Sequence, residues 1–139
     1  MRYLAIDLGE RRTGLAVGDD QTGVVTPLSV LELPRGEGLI EALLKALQEH
    51  SPDEIVLGLP LNMDGTEGAP AKRVREFAKT LRKRCECLVH CQDERLTSYA
   101  ADQRMARTGR THKQKKGMRD ALAAAEILRD FLDESTSRA

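Results

Sequence analysis

Aromatic side chains are scarce in this sequence. There is no tryptophan, and only Phe77, Phe131, Tyr3 and Tyr99 carry large rings. That scarcity speaks against modules that read single strands by stacking bases on aromatic platforms. Long apolar runs are missing too, and none approaches the roughly 18 residues of a membrane helix. The apolar stretch before Asp7, from Tyr3 to Ile6, is shorter than the region of about 7–15 residues that a secretory signal needs. A cytosolic location, with no membrane partner, is the expectation. The three cysteines, Cys85, Cys87 and Cys91, are odd in number and clustered. They make a poor disulfide framework and fit a reducing compartment. With His90 they resemble a zinc set only superficially, because they lie along a predicted strand rather than in a turn. Free thiols are expected.

Net charge is also lacking: 22 Lys and Arg balance 22 Asp and Glu. What is present is an uneven distribution. Between Arg104 and Arg119 there are seven basic residues (Arg104, Arg107, Arg110, Lys113, Lys115, Lys116, Arg119), His112 and no acid. Between Lys72 and Arg84 seven more stand against Glu76 alone. Basic stretches apart from isolated acids suit a phosphate-binding protein with a carboxylate-held metal. The stretch from Lys72 reads equally well as a solvated helix face. A chain of 139 residues, 40% hydrophobic and 32% charged, is the size and composition of one globular domain. That domain is placed at 1–134, with 135–139 as a frayed tail.

Periodicity gives the elements. Residues 3–8, 13–19 and 23–33 are strand-length apolar runs with short connections, an antiparallel meander. Pro27 must then lie at an edge or a bulge. Helical spacing follows in 37–50, where Leu39, Ile40, Leu43, Leu44 and Leu47 recur. Residues 54–59 form a strand, 60–70 a loop with two prolines and two glycines, 71–84 a helix, and 87–92 a strand. Helices are expected over about 97–107 and 115–133, the last with Met118, Leu122, Ala125, Leu128 and Leu132 inward. The fold class is α/β: a five-stranded mixed sheet, three strands antiparallel and then two parallel, with helices on both faces.

Three places carry acids of interest. Asp7 ends the first strand before Gly9, where α/β sheets bind ligands, although a turn also favours Asp there. Asp93 and Glu94 end the last strand. Neighbours on a strand face opposite sides, so one of the two can share a site with Asp7. The other could hold Arg95 or cap a helix. Asp120 lies on a helix beside Ala121, Ala123 and Ala124. A carboxylate on such a close-packed face is costly unless paired, hydrogen-bonded or metal-bound, and Lys116 one turn back is a candidate partner. Acids converging from two strand ends and a helix would suit Mg²⁺ or Mn²⁺, with water attacking a phosphodiester. No serine or cysteine nucleophile with a plausible base is present.

These residues resemble a known family. IDLGERRTGLAVGD at 6–19, GLPLNMDGTEG at 58–68, DERLTS at 93–98 and KKGMRDALAAAEIL at 115–128 together are similar to the YqgF/RuvX family of small RNase H-like nucleases. Its members are called pre-16S ribosomal RNA nucleases and also Holliday junction resolvases. The resemblance spans nearly the whole chain and is specific in the joint order and spacing of the motifs. It implies Asp7, Glu94 and Asp120 as catalytic, metal-binding acids, and selects Glu94 over Asp93. It further implies Arg11, Arg12 and Arg95 as phosphate contacts. The basic loop from Gly109 to Lys116, with Lys113, Lys115 and Lys116, would be a flap over the substrate. One departure stands out. Better-known RNase H-like nucleases often carry an acid after the fourth strand, where this chain reads GLPLNMDG, so Asp64 or Asn62 could assist. The expected substrate is a pre-16S rRNA end in ribosome biogenesis. A four-way DNA junction is the runner-up, and the protein is expected to be a monomer or homodimer. A non-catalytic RNA-binding assembly factor is the third reading. The D-x-G-x(4)-G hairpin also resembles that of actin-like ATPases, but those require a second domain for which this chain has no room.

Overall fold

A computed structural model of the chain describes residues 1–94 and the helix 112–138, with side chains in that helix from 118 to 134. The elements are β1 (Arg2–Leu8), β2 (Thr13–Asp19), β3 (Val25–Leu31), α1 (Glu37–His50), β4 (Glu54–Leu59), α2 (Ala69–Cys85), β5 (Leu88–Asp93) and α3 (His112–Arg138). The sheet has five strands in the order β3-β2-β1-β4-β5. β1, β2 and β3 pair antiparallel, and β4 runs parallel to both β1 and β5. The predicted mixed sheet is therefore present. Pro27 sits on the outer strand β3, opposite Ala16, where the register shifts between Leu15 and Ala16. Edge and bulge occur together there.

Two cores separate the layers. On one face Leu4, Ile6, Leu8, Ile55 and Leu57 pack with α1 and α2 through Leu39, Leu43, Val74 and Leu81. On the other face Tyr3, Ala5, Ala16 and Val56 pack with α3 through Ala124, Ala125, Ile127 and Leu128. The first core is built of large branched side chains and the second largely of alanine. α3 can thus lie close to the sheet.

The structure departs from the periodic reading in both later helices. α2 begins at Ala69 because Pro70 occupies its first turn, where its missing N–H has no helical partner to lose. The buried stripe of α3 is Ala121, Ala124, Ala125, Ile127, Leu128 and Leu132, while Met118 and Leu122 are only half-buried. Alanines give little hydrophobic contrast, so the stripe is faint in the sequence. α3 also starts at His112 and continues to Arg138. Residues 112–116 are therefore helix rather than flap loop, in keeping with the good helix propensity of Lys and Gln. The helix expected over 97–107 lies outside the described residues.

Among the described residues no helix is long and apolar enough to cross a membrane. Cys85, Cys87 and Cys91 are free thiols. Burial pushes the Cys87 and Cys91 thiols up. His90 is engaged elsewhere, its Nε2 lying 2.7 Å from Glu54 Oε1.

The alanine seam predicts an asymmetry that urea unfolding can read. Ala124→Leu, at a fully buried position, should lower stability by about 1–3 kcal/mol through overpacking. Val24→Ser, at an exposed position, should stay within about 0.5 kcal/mol of the parent.

Candidate active site

Strand alternation fixes which acids meet. Tyr3 and Ala5 face α3, so Asp7 faces it too. On β5, His90 touches the Phe131 ring and Gln92 donates to Glu134, both residues of α3. Glu94 shares that parity and Asp93 does not. Asp7 and Glu94 thus stand on one face at the C-terminal edge of the parallel strands. The Glu94 backbone N–H donates to the Leu59 carbonyl at 3.2 Å, which ties the end of β5 to the end of β4.

Glycines open the space. Gly14 is the cross-strand partner of Asp7. A Cβ built there would strike the backbone of Asp120 and Ala121. At Gly58 an added Cβ would strike the Glu94 carboxylate and the Ile127 side chain. The missing methyl groups at these two strand positions therefore bring Asp120 and Glu94 in toward Asp7. Gly14 ends the D-x-G-x(4)-G hairpin and Gly58 opens GLPLNMDGTEG, but neither motif by itself shows what approaches the glycine. A glycine inside a strand pattern was the available signal, since it marks close approach.

The carboxyls are tightly coupled. Asp7 and Glu94 share a side-chain hydrogen bond. Burial, joined by the charge of Asp120, pushes the Asp7 carboxyl up to about 6 against the hydrogen bond from Glu94. Glu94 is pushed up to about 8, first by burial and then by the charge of Asp7, while Arg35 opposes the rise. Both carboxyls thus stay protonated to higher pH than exposed ones, and they titrate as a pair. Asp120 is also raised by burial, with Arg12 and Arg119 opposing.

Asp7 and Glu94 are thus joined directly, and Asp120 acts on Asp7 through its charge. Among the described residues no group of three His, Cys, Asp or Glu side chains surrounds a single point. The donor chemistry fits a hard divalent cation nonetheless. Two half-buried carboxyls now hold a proton between them, and a cation would replace that proton with opposite charge and oxygen coordination.

The remaining predicted residues divide. Arg11 and Arg12, with Glu32 and Pro34, line an open cavity of about 490 Å³, and Arg12 lies within electrostatic reach of Asp120. Asp64 and Asn62 are engaged in their own loop. Asp64 Oδ1 accepts from the Thr66 N–H at 2.9 Å and from Thr66 Oγ1 at 2.6 Å, and Asn62 Nδ2 donates to Thr66 Oγ1 at 2.9 Å. Arg95 and the side chains of Lys113, Lys115 and Lys116 lie outside the described residues. Arg35 is a residue the sequence did not single out. Its guanidinium donates to the Gly9 carbonyl at 3.1 Å and the Leu8 carbonyl at 3.3 Å, holding the end of β1 while countering the charge of Glu94. No spacing rule links it to those carbonyls.

The same architecture recurs in solved structures. The Fowlpox virus resolvase in complex with Holliday junction DNA matches with a TM-score of 0.63 at 10% identity, over 97% of this chain and 99% of that one. RuvC of Thermus thermophilus matches with a TM-score of 0.54 at 18% identity, over 99% and 97%. At such identities the likeness concerns the fold. In sequence, the chain is 41% identical over 133 residues to the "Putative pre-16S rRNA nuclease" of Anaeromyxobacter sp. (strain Fw109-5), covering 96% of this chain and 97% of that one. Fold and sequence together define an RNase H-like nuclease, an enzyme that hydrolyses phosphodiester bonds. The family model RuvX, described as Holliday junction resolvase, matches residues 1–134. The chain belongs to that family.

The raised carboxyls predict a pH signature. Between about pH 4 and 8 the folded protein holds the Asp7 and Glu94 protons more tightly than the unfolded chain does. Their contribution to stability is present at low pH and is lost as pH rises through that window. In EDTA, Asp7→Asn should therefore gain melting temperature relative to the parent between pH 5 and pH 8. Added Mn²⁺ should raise the parent's melting temperature more at pH 8 than at pH 5. Gly58→Ala, which displaces the Glu94 carboxylate, should weaken that Mn²⁺ shift.

Proposed function

We propose that this chain is a metal-dependent nuclease that trims the 5′ end of pre-16S rRNA, with Asp7, Glu94 and Asp120 as its catalytic acids. The observation that carries the reading is the half-buried Asp7–Glu94 pair, joined by Asp120 at the sheet edge. Mg²⁺ or Mn²⁺ would be held by these three carboxylates. When bound, the ion supplies Lewis-acid polarisation of the phosphate and activation of the attacking water.

The chain's own groups do the rest. Asp7 and Glu94 hold a proton between them in the free protein, and would release it to solvent as a bound cation takes its place. Arg35 keeps the end of β1 in place and limits the charge that accumulates beside Glu94. Arg11 and Arg12 offer guanidinium forks suited to phosphate oxygens, on the side of the site where Arg12 faces Asp120. Arg95, Lys113, Lys115 and Lys116 extend that basic surface on the strength of the sequence alone. Recognition through phosphates and helical shape, rather than stacked bases, accords with the scarcity of rings. The protein would act in the cytoplasm, as a monomer or a homodimer.

A second reading, resolution of four-way DNA junctions, is favoured by the family's description. One incubation separates the two. Purified protein with Mg²⁺ or Mn²⁺ is given a precursor rRNA end and a synthetic junction. Cleavage of the RNA is expected, with loss of cleavage and retention of binding in Asp7→Asn and Asp120→Asn. Symmetric nicking of the junction with the RNA intact would reverse the assignment.

A further inference from the structure

The basic stretch that opens α2 is only partly used by the fold. Arg75 is bonded to Glu67, Lys79 lies beside Glu76, Arg82 donates to the Val89 carbonyl and Arg84 pairs with Glu37. The solvated, ion-paired helix face thus accounts for the middle and end of α2. It does not account for Lys72 and Arg73. These two exposed cations stand near the start of the helix, whose first turn contains no acid. That is the end where the aligned peptide dipoles are already positive and disfavour further cations. Lys72 feels the charge of Glu67, but the Glu67 carboxylate is gripped through both oxygens by Arg75.

Lys72 and Arg73 are not isolated. With Arg35, Glu76, Phe77 and Thr80 they line a cavity of about 370 Å³. Three cations face one acid there, and that acid has Lys79 at its side. The wall between them is apolar, built from the half-buried Phe77 ring and the aliphatic stems of the basic side chains. Arg35 connects this cavity to the carboxyl site, because the same side chain holds the Leu8 and Gly9 carbonyls and counters Glu94.

We propose that the cavity between Arg35 and the opening turns of α2 is a second phosphate subsite, which grips the nucleic-acid strand beside the carboxyl site. The charge pattern selects a polyanion. The apolar wall selects one with a non-polar sugar face between its charges, which a nucleic-acid strand has. A phosphate there would relieve the crowding of positive charge at the start of α2. Lys72 and Arg73 then govern how tightly the strand is held and leave the reaction itself to the carboxyls. The identity of the strand as substrate rests on the nuclease reading above.

Binding is tested without metal, so that it does not depend on turnover. Fluorescence anisotropy of a labelled precursor RNA and of a labelled junction is followed against salt in EDTA. Lys72→Ala/Arg73→Ala should lower the slope of log K against log salt by about 1.4–1.8, the value for two phosphate contacts. Lys72→Arg/Arg73→Lys should restore it. Lys83→Ala, at an exposed position near the other end of α2, should change the slope little. An unchanged slope in the double variant, or an equal loss in Lys83→Ala, would overturn the subsite. A protein that shows the slope change yet cleaves neither substrate would keep the subsite and lose the nuclease reading.

Discussion

Two carboxyls withdrawn from water and set side by side repel each other once both are charged, and the arrangement of this protein follows from managing that repulsion. Asp7 and Glu94 manage it in the free protein by sharing a proton. Burial in low dielectric is the larger cause for both; the charge of Asp120 adds to it at Asp7, and the charge of Asp7 adds to it at Glu94. A binding site for a hard cation has the same requirements: oxygen donors, partial exclusion of water, and charge that is not neutralised by a permanent ion pair. The cations nearby, Arg35 and Arg12, offset the charge of individual acids without closing a salt bridge across the Asp7–Glu94 pair.

Burial of that pair depends on how closely α3 approaches the sheet. Gly14, Ala16, Gly18, Val56 and Gly58 look toward the helix, and a Cβ added at any of the three glycines would strike an atom of α3. The helix answers with Ala121, Ala124 and Ala125. Small residues on both sides give up apolar area, which the leucine-rich core on the opposite face supplies. The two layers therefore have different duties. The α1–α2 side holds the fold together, and the α3 side brings Asp120 to the sheet edge.

Much of this was legible in the sequence, for reasons that can be named. The switch from period two to helical period is strong wherever branched residues carry it, as in 54–59 and 37–50, and those elements fall where expected. Chain order and crossover rules then sufficed for the sheet. On α3, Ala125, Leu128 and Leu132 face inward as periodicity predicts, but alanine carries little contrast, so Met118 and Leu122 take the place in that stripe that Ala121 and Ala124 occupy. Pro70 reads as a breaker, yet it sits in the first turn of α2, where proline is tolerated. Strand alternation alone established that one of Asp93 and Glu94 could join Asp7. Which one depended on the face that meets α3, and His90 and Gln92 reveal that only through their contacts. Arg35 was invisible because its partners lie 26 and 27 positions away in the chain.

The outer margin of the sheet carries its own consequence. On β3, Pro27 offers no amide hydrogen, and the register with β2 is irregular beside Ala16. An incoming strand would find the ladder interrupted midway. Fibre-like growth and sheet-to-sheet fusion of two copies are therefore both obstructed along β3, and any twofold assembly that used this side would have to join through side chains rather than through a continuous backbone ribbon.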